Sequence, residues 1–196
     1  GTAPSQNAIN VVVTGASSSG SSYSIFTSQL PAISNQRDNT IGIVVGTRFR
    51  SSANGSVTAI RFYKGAGNTG THIGQLWSSS GTLLAEAMIT NETSSGWQQV
   101  NLPSPVSITA GTNYIVSYHS SQGYYSTTGD FFANTIVNGP LTAPADISGT
   151  HNGLYKYSTV PVFPNETYGK ENYFVDVVFS TGTVTDITAP VVTAVS

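Results

Sequence analysis

A chain of 196 residues is enough for one well-buried domain and not comfortably for two. Only 8% of the residues are charged and the net charge is −2, which removes the electrostatic case for nucleic acid or an anionic membrane surface. With no cysteine there is no disulfide framework, thiolate metal site or cysteine nucleophile, and no run of eighteen apolar residues is present to span a bilayer.

Hydrophobic residues at 38%, with 10% aromatic, argue for a packed core rather than disorder. Solubility then rests on Ser, Thr, Asn, Gln and Gly, a polar but uncharged style that suits a secreted bacterial β-protein. No basic segment followed by an apolar one opens the chain, which reads as a mature or excised piece.

In chain order, residues 1–22 read as an N-terminal extension. Val11 to Val13 can form an edge strand there, and a Ser/Gly connector follows. From residue 23 short β-type runs alternate with turn residues. The expected strands are YSIFT (23–27), GIVVGTRFRS (42–51), SVTAIRFYK (56–64), THIGQLWSS (71–79) and LLAEAMITN (83–91). They continue with GWQQVNL (96–102), TNYIVSYHS (112–120), GLYKYS (153–158) and NYFVDVVFS (172–180). Only LLAEAMI has real helical propensity, and Gly81 and Asn91 bracket it too closely for a stable helix. Residues 124–152 are long, polar and dotted with Pro and Gly, and read as a functional loop. Repeated short strands without helices predict an all-β, antiparallel β-sandwich of jelly-roll type over 23–181. Residues 182–196 read as a linker and the start of a following module.

The segment RFYKGAGNTGTH (61–72) contains Gly65-Ala66-Gly67-Asn68-Thr69-Gly70, a literal G-x-G-x-x-G. A dinucleotide fingerprint must open a helix, because the pyrophosphate sits on the helix N-terminus. Here THIGQLWSSSG follows, with a central Gly and a Ser-Gly turn, so the helix and its phosphate site are excluded. The glycines read instead as positive-φ positions of a hairpin loop.

Around that loop Ile60 and Phe62 share one strand face while Arg61 and Tyr63 share the other. A face collecting Arg61, Tyr63, Trp77 and Tyr118 would suit a sugar: aromatic rings stack on pyranose C–H surfaces and polar groups satisfy hydroxyls. The alternative is that Trp77 and Trp97 are core residues. Tyr124 and Tyr125, at a Gly turn with His119 nearby, are further candidates; the alternative is that one of the two packs under the long loop. His72 reads as an anchor of the loop through Asn68 or Thr71. With His119 and His151 it shows no zinc-ligand spacing. Asp176, inside the apolar run FVDVVF, needs a partner. Arg61 or Arg48 is the expected one, and a structural calcium ion is the alternative. The other carboxylates are scattered singles and no G-x-S-x-G nucleophile elbow occurs, so catalysis is not expected. Asn54, Asn91 and Asn165 stand in glycosylation sequons, read here as turn composition.

Several motifs stand in register: GTRF (46–49), IRFYKGAGNTGTHIGQLWSSSGTLLA (60–85), NETSSGWQQV (91–100), SPVSITAGTNYIVSYH (104–119), GYYS (123–126), NGPL (138–141) and ENYFVDVVF (171–179). Through them the chain resembles, over about residues 24–181, a bacterial secreted family known mainly as a domain of unknown function. Val45-Gly46 replaces the Leu-Gly usual in that pattern. DITAPVVTAVS (186–196) resembles the opening of bacterial immunoglobulin-like repeats. The resemblance implies an extracellular β-sandwich accessory module, of the kind found beside such repeats and beside polysaccharide-active enzymes, and no established ligand.

The expected function is therefore non-catalytic binding of a polysaccharide or cell-surface glycan by a monomeric module attached to neighbouring domains of its own chain. The candidate ligand-binding residues are Arg61, Tyr63, His72, Trp77, Trp97, Tyr118, His119, Tyr124 and Tyr125, with Asp176 as the candidate metal ligand. A structural spacer or adhesion domain without a glycan ligand is the alternative, and an unrecognised polysaccharide-active enzyme is the third reading.

Overall fold

The computed structural model describes residues 20–39 and 41–181. The expected edge strand at Val11 to Val13 and the expected module start at 182–196 lie outside them.

Pairing is antiparallel throughout the described residues. A small sheet contains β1 (Ser22–Tyr23), β14 (Val175–Ser180), β4 (Gly55–Lys64) and β7 (Gly96–Ile108), in that spatial order. A larger sheet runs β10 (Ile136–Asn138), β11 (Leu141–Ala143), β3 (Ile43–Ser51), β8 (Tyr114–Ser120), β5 (His72–Ser78) and β6 (Leu83–Ile89). Beside β11, the edge of β3 also carries β12 (Leu154–Tyr157), which pairs in turn with β13 (Glu166–Thr167). A two-stranded ribbon joins β2 (Ile33–Gln36) to β9 (Tyr125–Thr127).

The two sheets close on one core, as expected of an all-β sandwich. Period-two alternation sends Ile60 and Phe62 of β4, and Val175 and Val177 of β14, toward the larger sheet. They meet Phe49, Leu76, Val116 and Tyr118, all buried. The Phe62 and Tyr118 rings stack at 4.2 Å across the sandwich. Gly74 leaves room for this approach, because a Cβ there would stand 3.0 Å from the Ile60 side chain. On the outer face of the larger sheet Trp77, Ile115 and Leu154 form a second cluster, closed by Phe163.

Several expected strand limits move, each for a local reason. YSIFT leaves the ladder after Tyr23, because the amides of Ile25 and Phe26 donate to the Asp176 carboxylate instead. β14 begins only at Val175, since Phe174 has φ +53° and breaks the extended run. β7 continues through Pro103 and Pro105 to Ile108, which its edge position tolerates. The stretch 124–152 is not one loop. It holds β9, a 3-10 turn at Phe131–Ala133, and the β10/β11 hairpin, whose turn uses Gly139 at φ +54°.

Candidate functional site

The residues singled out from sequence fall in five separate places. His72 is buried in the 65–72 loop anchor. Its Nδ1 lies 2.7 Å from Glu92 Oε1 and its Nε2 lies 2.9 Å from Asn68 Oδ1, so the expected bond with Asn68 is present. Asn68 also takes a hydrogen bond from the Ser120 hydroxyl at 2.9 Å and donates to the Tyr118 hydroxyl at 3.3 Å. Lys64 Nζ reaches Glu92 at 2.7 Å. Burial holds the His72 pKa below the ordinary histidine value, with Glu92 acting against it. Burial likewise pushes the Tyr118 hydroxyl up. Neither ring offers a face to a sugar.

Trp77 lies on the opposite side of the molecule's larger sheet. Its indole N–H donates to the Ser117 hydroxyl at 2.9 Å, and its ring meets Phe163 edge-on at 5.6 Å. His119 is buried nearby, its Nε2 donating to the Ser158 carbonyl at 3.1 Å. The face expected to gather Arg61, Tyr63, Trp77 and Tyr118 is therefore not formed. Arg61 and Tyr63 point outward from the small sheet, Tyr118 points into the core, and Trp77 points outward from the larger sheet.

Arg61, Tyr63 and Trp97 do meet. Tyr63 and Trp97 are direct cross-strand partners with rings 5.8 Å apart, and the Arg61 guanidinium lies 4.5 Å over the Trp97 ring. Beneath them stand Phe26 and Phe174. Asp176 is opposite Arg61 in register and fully buried. Its carboxylate accepts from the amides of Ile25 at 2.7 Å, Phe26 at 3.2 Å and Val177 at 2.7 Å, with the Arg61 guanidinium 3.9 Å away. Burial raises its carboxyl to about 6 against these partners. Asp176 is thus partnered within the chain. Among the described residues no three His, Cys, Asp or Glu side chains converge as a metal site.

The fourth place is a cleft of about 370 Å³, and of the residues expected from sequence only Tyr125 lines it. Tyr124, its neighbour, faces elsewhere, under the Arg37 guanidinium at 4.8 Å. The cleft lies where the β2/β9 ribbon passes the β12 edge. Alternation brings Tyr155 and Tyr157 of β12 to one side, and the E-x-Y spacing brings Glu171 and Tyr173 in from the approach to β14. The rings form an edge-to-face series: Tyr125 with Tyr173 at 5.5 Å, Tyr173 with Tyr155 at 6.5 Å, and Tyr155 with Tyr157 at 5.6 Å. Tyr168 stands at the rim, 69% exposed. Gln36, Asp38 and Ile43 complete the lining.

Asp38 organises this cleft. Its carboxylate accepts hydrogen bonds from the Tyr125 hydroxyl and from Gln36, and a longer one from the Tyr157 hydroxyl at 3.3 Å. Burial, together with the Asp38 charge, pushes Tyr157 up to about 12 and Tyr125 further up. Burial, reinforced by the charge of Glu171, does the same to Tyr173. The hydroxyls are therefore neutral donors at any ordinary pH. Glu171 is raised above the usual carboxylate range by burial; the Tyr173 hydroxyl opposes the rise and the Asp38 charge adds to it. Among the described residues that line the cleft none is Lys, Arg or His. Such a surface offers ring faces, hydroxyls and two acidic acceptors to a small polar ligand.

Sequence reasoning missed Gln36, Asp38, Tyr155, Tyr157, Tyr168, Glu171 and Tyr173. The available signals were the Y-x-Y of LYKY and the E-x-Y of ENY, each placing two such groups on one face of an extended chain.

A family model described as a domain of unknown function, DUF4082, matches residues 28–175. No curated protein matches the chain.

Proposed function

The chain belongs to the DUF4082 family of domains of unknown function, and from that premise we propose that it is a non-catalytic, extracellular accessory module that holds a glycan in the tyrosine cleft. The observation that carries this reading is Tyr168, a large ring left 69% exposed at the mouth of a cleft already walled by four other tyrosines. An exposed ring beside a preformed concave site suits stacking on the C–H face of a sugar, and Asp38 and Glu171 suit hydroxyl groups at its edge. The weakly charged, Ser/Thr/Asn-rich composition supports the extracellular setting. The module serves neighbouring domains of its own protein by holding them near polysaccharide.

Affinity electrophoresis in gels of soluble polysaccharides, with pull-down on insoluble ones, tests the proposal. The wild-type chain is retained by at least one glycan. Tyr168→Ala weakens that retention several-fold, the loss of about 1 kcal/mol of stacking, with an unchanged thermal melt. No retention on any glycan overturns the reading in favour of a spacer. Equal retention of both proteins removes the cleft as the site.

One observation favours a second reading. Asp38 and Glu171 place two carboxyl groups in one cleft, one of them with a raised pKa, as glycan hydrolysis requires. Against it, both oxygens of Asp38 already accept hydrogen bonds from Tyr125, Tyr157 and Gln36. Reducing ends released from a retained polysaccharide, and lost in Glu171→Gln, would establish the hydrolase.

A further inference from the structure

Taking the cleft as the binding site, we infer that its ligand presents an organic cation: an alkylammonium group seated on the tyrosine rings, with Glu171 and Asp38 as counter-charges. Five of the described lining residues are tyrosines and two are carboxylates, while none is Lys, Arg or His. A site for neutral sugar needs donors and acceptors in balance. Here the Tyr125 and Tyr157 hydroxyls are committed to Asp38 and the Tyr173 hydroxyl to Glu171, which leaves the hydroxyls of Tyr155 and Tyr168 as the tyrosine donors beside five ring faces and two carboxylates. Ring faces carry the negative end of the aromatic quadrupole and attract cations, most strongly where water is partly excluded.

Two neighbouring cations are engaged elsewhere. Lys156, on β12 between two cleft tyrosines, is drawn to Glu166 at 2.5 Å, and Arg37 lies over Tyr124. Burial is the main reason the Glu171 carboxyl is raised and the Asp38 charge adds a smaller part; a cation seated beside both carboxyls offsets each. Two sources carry the required group: the unacetylated amine of an amino-sugar chain, and a quaternary ammonium headgroup such as choline. The cleft's size, about 370 Å³, accepts either.

Calorimetric titration of the whole chain at fixed ionic strength decides, with glucosamine oligomers, their N-acetylated counterparts and choline as the three probes. The expected result is that glucosamine oligomers bind about tenfold or more tightly than the N-acetylated ones, the scale of one cation–π contact with a nearby counter-charge. Glu171→Gln removes most of that preference. Tyr157→Phe, which keeps the ring and releases Asp38 from one hydroxyl, retains or tightens cation binding. Equal binding of acetylated and free-amine oligomers overturns the cation inference and leaves the glycan reading standing. Choline binding without oligomer binding supports the cation and overturns the glycan. Silence with all three probes overturns the cation inference whatever polysaccharide the gels retain. A Tyr157→Phe variant that folds but loses the ligand shows that the hydroxyl, not the ring face, is read, and overturns it as well.

Discussion

At Asp176 a carboxylate takes the place of a piece of β-ladder. The amides of Ile25 and Phe26 end on its oxygens rather than on a neighbouring strand, and Arg61 stands beside it in register. Burial raises its pKa from an ordinary 3.8 to about 6. A raised acid is protonated more readily folded than unfolded, so this site contributes most stability below about pH 4. That contribution is lost as the pH rises through about 6. Urea denaturation of wild type and Asp176→Asn between pH 4 and 7 isolates the effect. The wild type loses stability relative to the variant across that window, by a few kcal/mol at most, and the difference then stays level. A difference that instead grows in favour of wild type with rising pH would show that the amides and Arg61 outweigh burial. The run FVDVVF already marked this residue as needing a partner, and Arg61 was one of the two expected candidates, with Arg48; the register of β14 on β4 selects Arg61. The amides that it binds were not legible: they belong to backbone about 150 positions away, and backbone donors leave no trace in side-chain pattern.

The 65–70 loop shows the same division at the scale of an element. That it joins two strands and opens no helix follows from the residues after it. Its glycines, however, are not all where a positive φ is needed. Gly70 has φ +95°, whereas Gly65 and Gly67 do not have positive φ. Gly65 is required by proximity: a Cβ there would stand 1.7 Å from the Ser34 carbonyl oxygen of β2. Gly67 donates its amide to Asn35 Oδ1 at 2.7 Å, and a Cβ there would meet that same side-chain oxygen at 3.0 Å. Gly65→Ala therefore lowers stability by about 1–3 kcal/mol or more, as overpacking against backbone does. Gly67→Ala costs well under half as much, since a side chain can shift. Chemical denaturation of the two variants reads this ordering, and equal losses would refute the close approach of β2. The short strands β2, β9, β10 and β11 escaped prediction because three or four residues carry too little alternation to separate strand from turn. The cleft was lost with them, since it is framed by β2, β9 and β12.

Across the whole molecule, the fold extends beyond the matched span of 28–175. β14 continues to Ser180 as an inner strand of the small sheet, and Val177 and Phe179 are buried in the core. At the other end Ile25 and Phe26 are buried over Asp176 and its aromatic neighbours. A fragment of residues 28–175 lacks an inner strand and the cover of the outer face, and is expected not to fold. A fragment of residues 20–181 is expected to melt cooperatively. Circular dichroism melts and amide dispersion in proton NMR compare the two, and a cooperative melt of the shorter piece would show that these segments are dispensable.

The pairing of β1 with β14 also decides how the domain meets mechanical load. Ser22 faces Ser180 and Tyr23 faces Phe179, so the chain enters and leaves at the same end of one antiparallel pair. Tension carried between residues 20 and 181 pulls that pair apart like a zipper, one rung after another, instead of sliding all the rungs at once. The short β1 strand yields first. With it goes the grip on the segment over Asp176, while the tyrosine cleft, held by β3, β9 and β12, lies off the line of force.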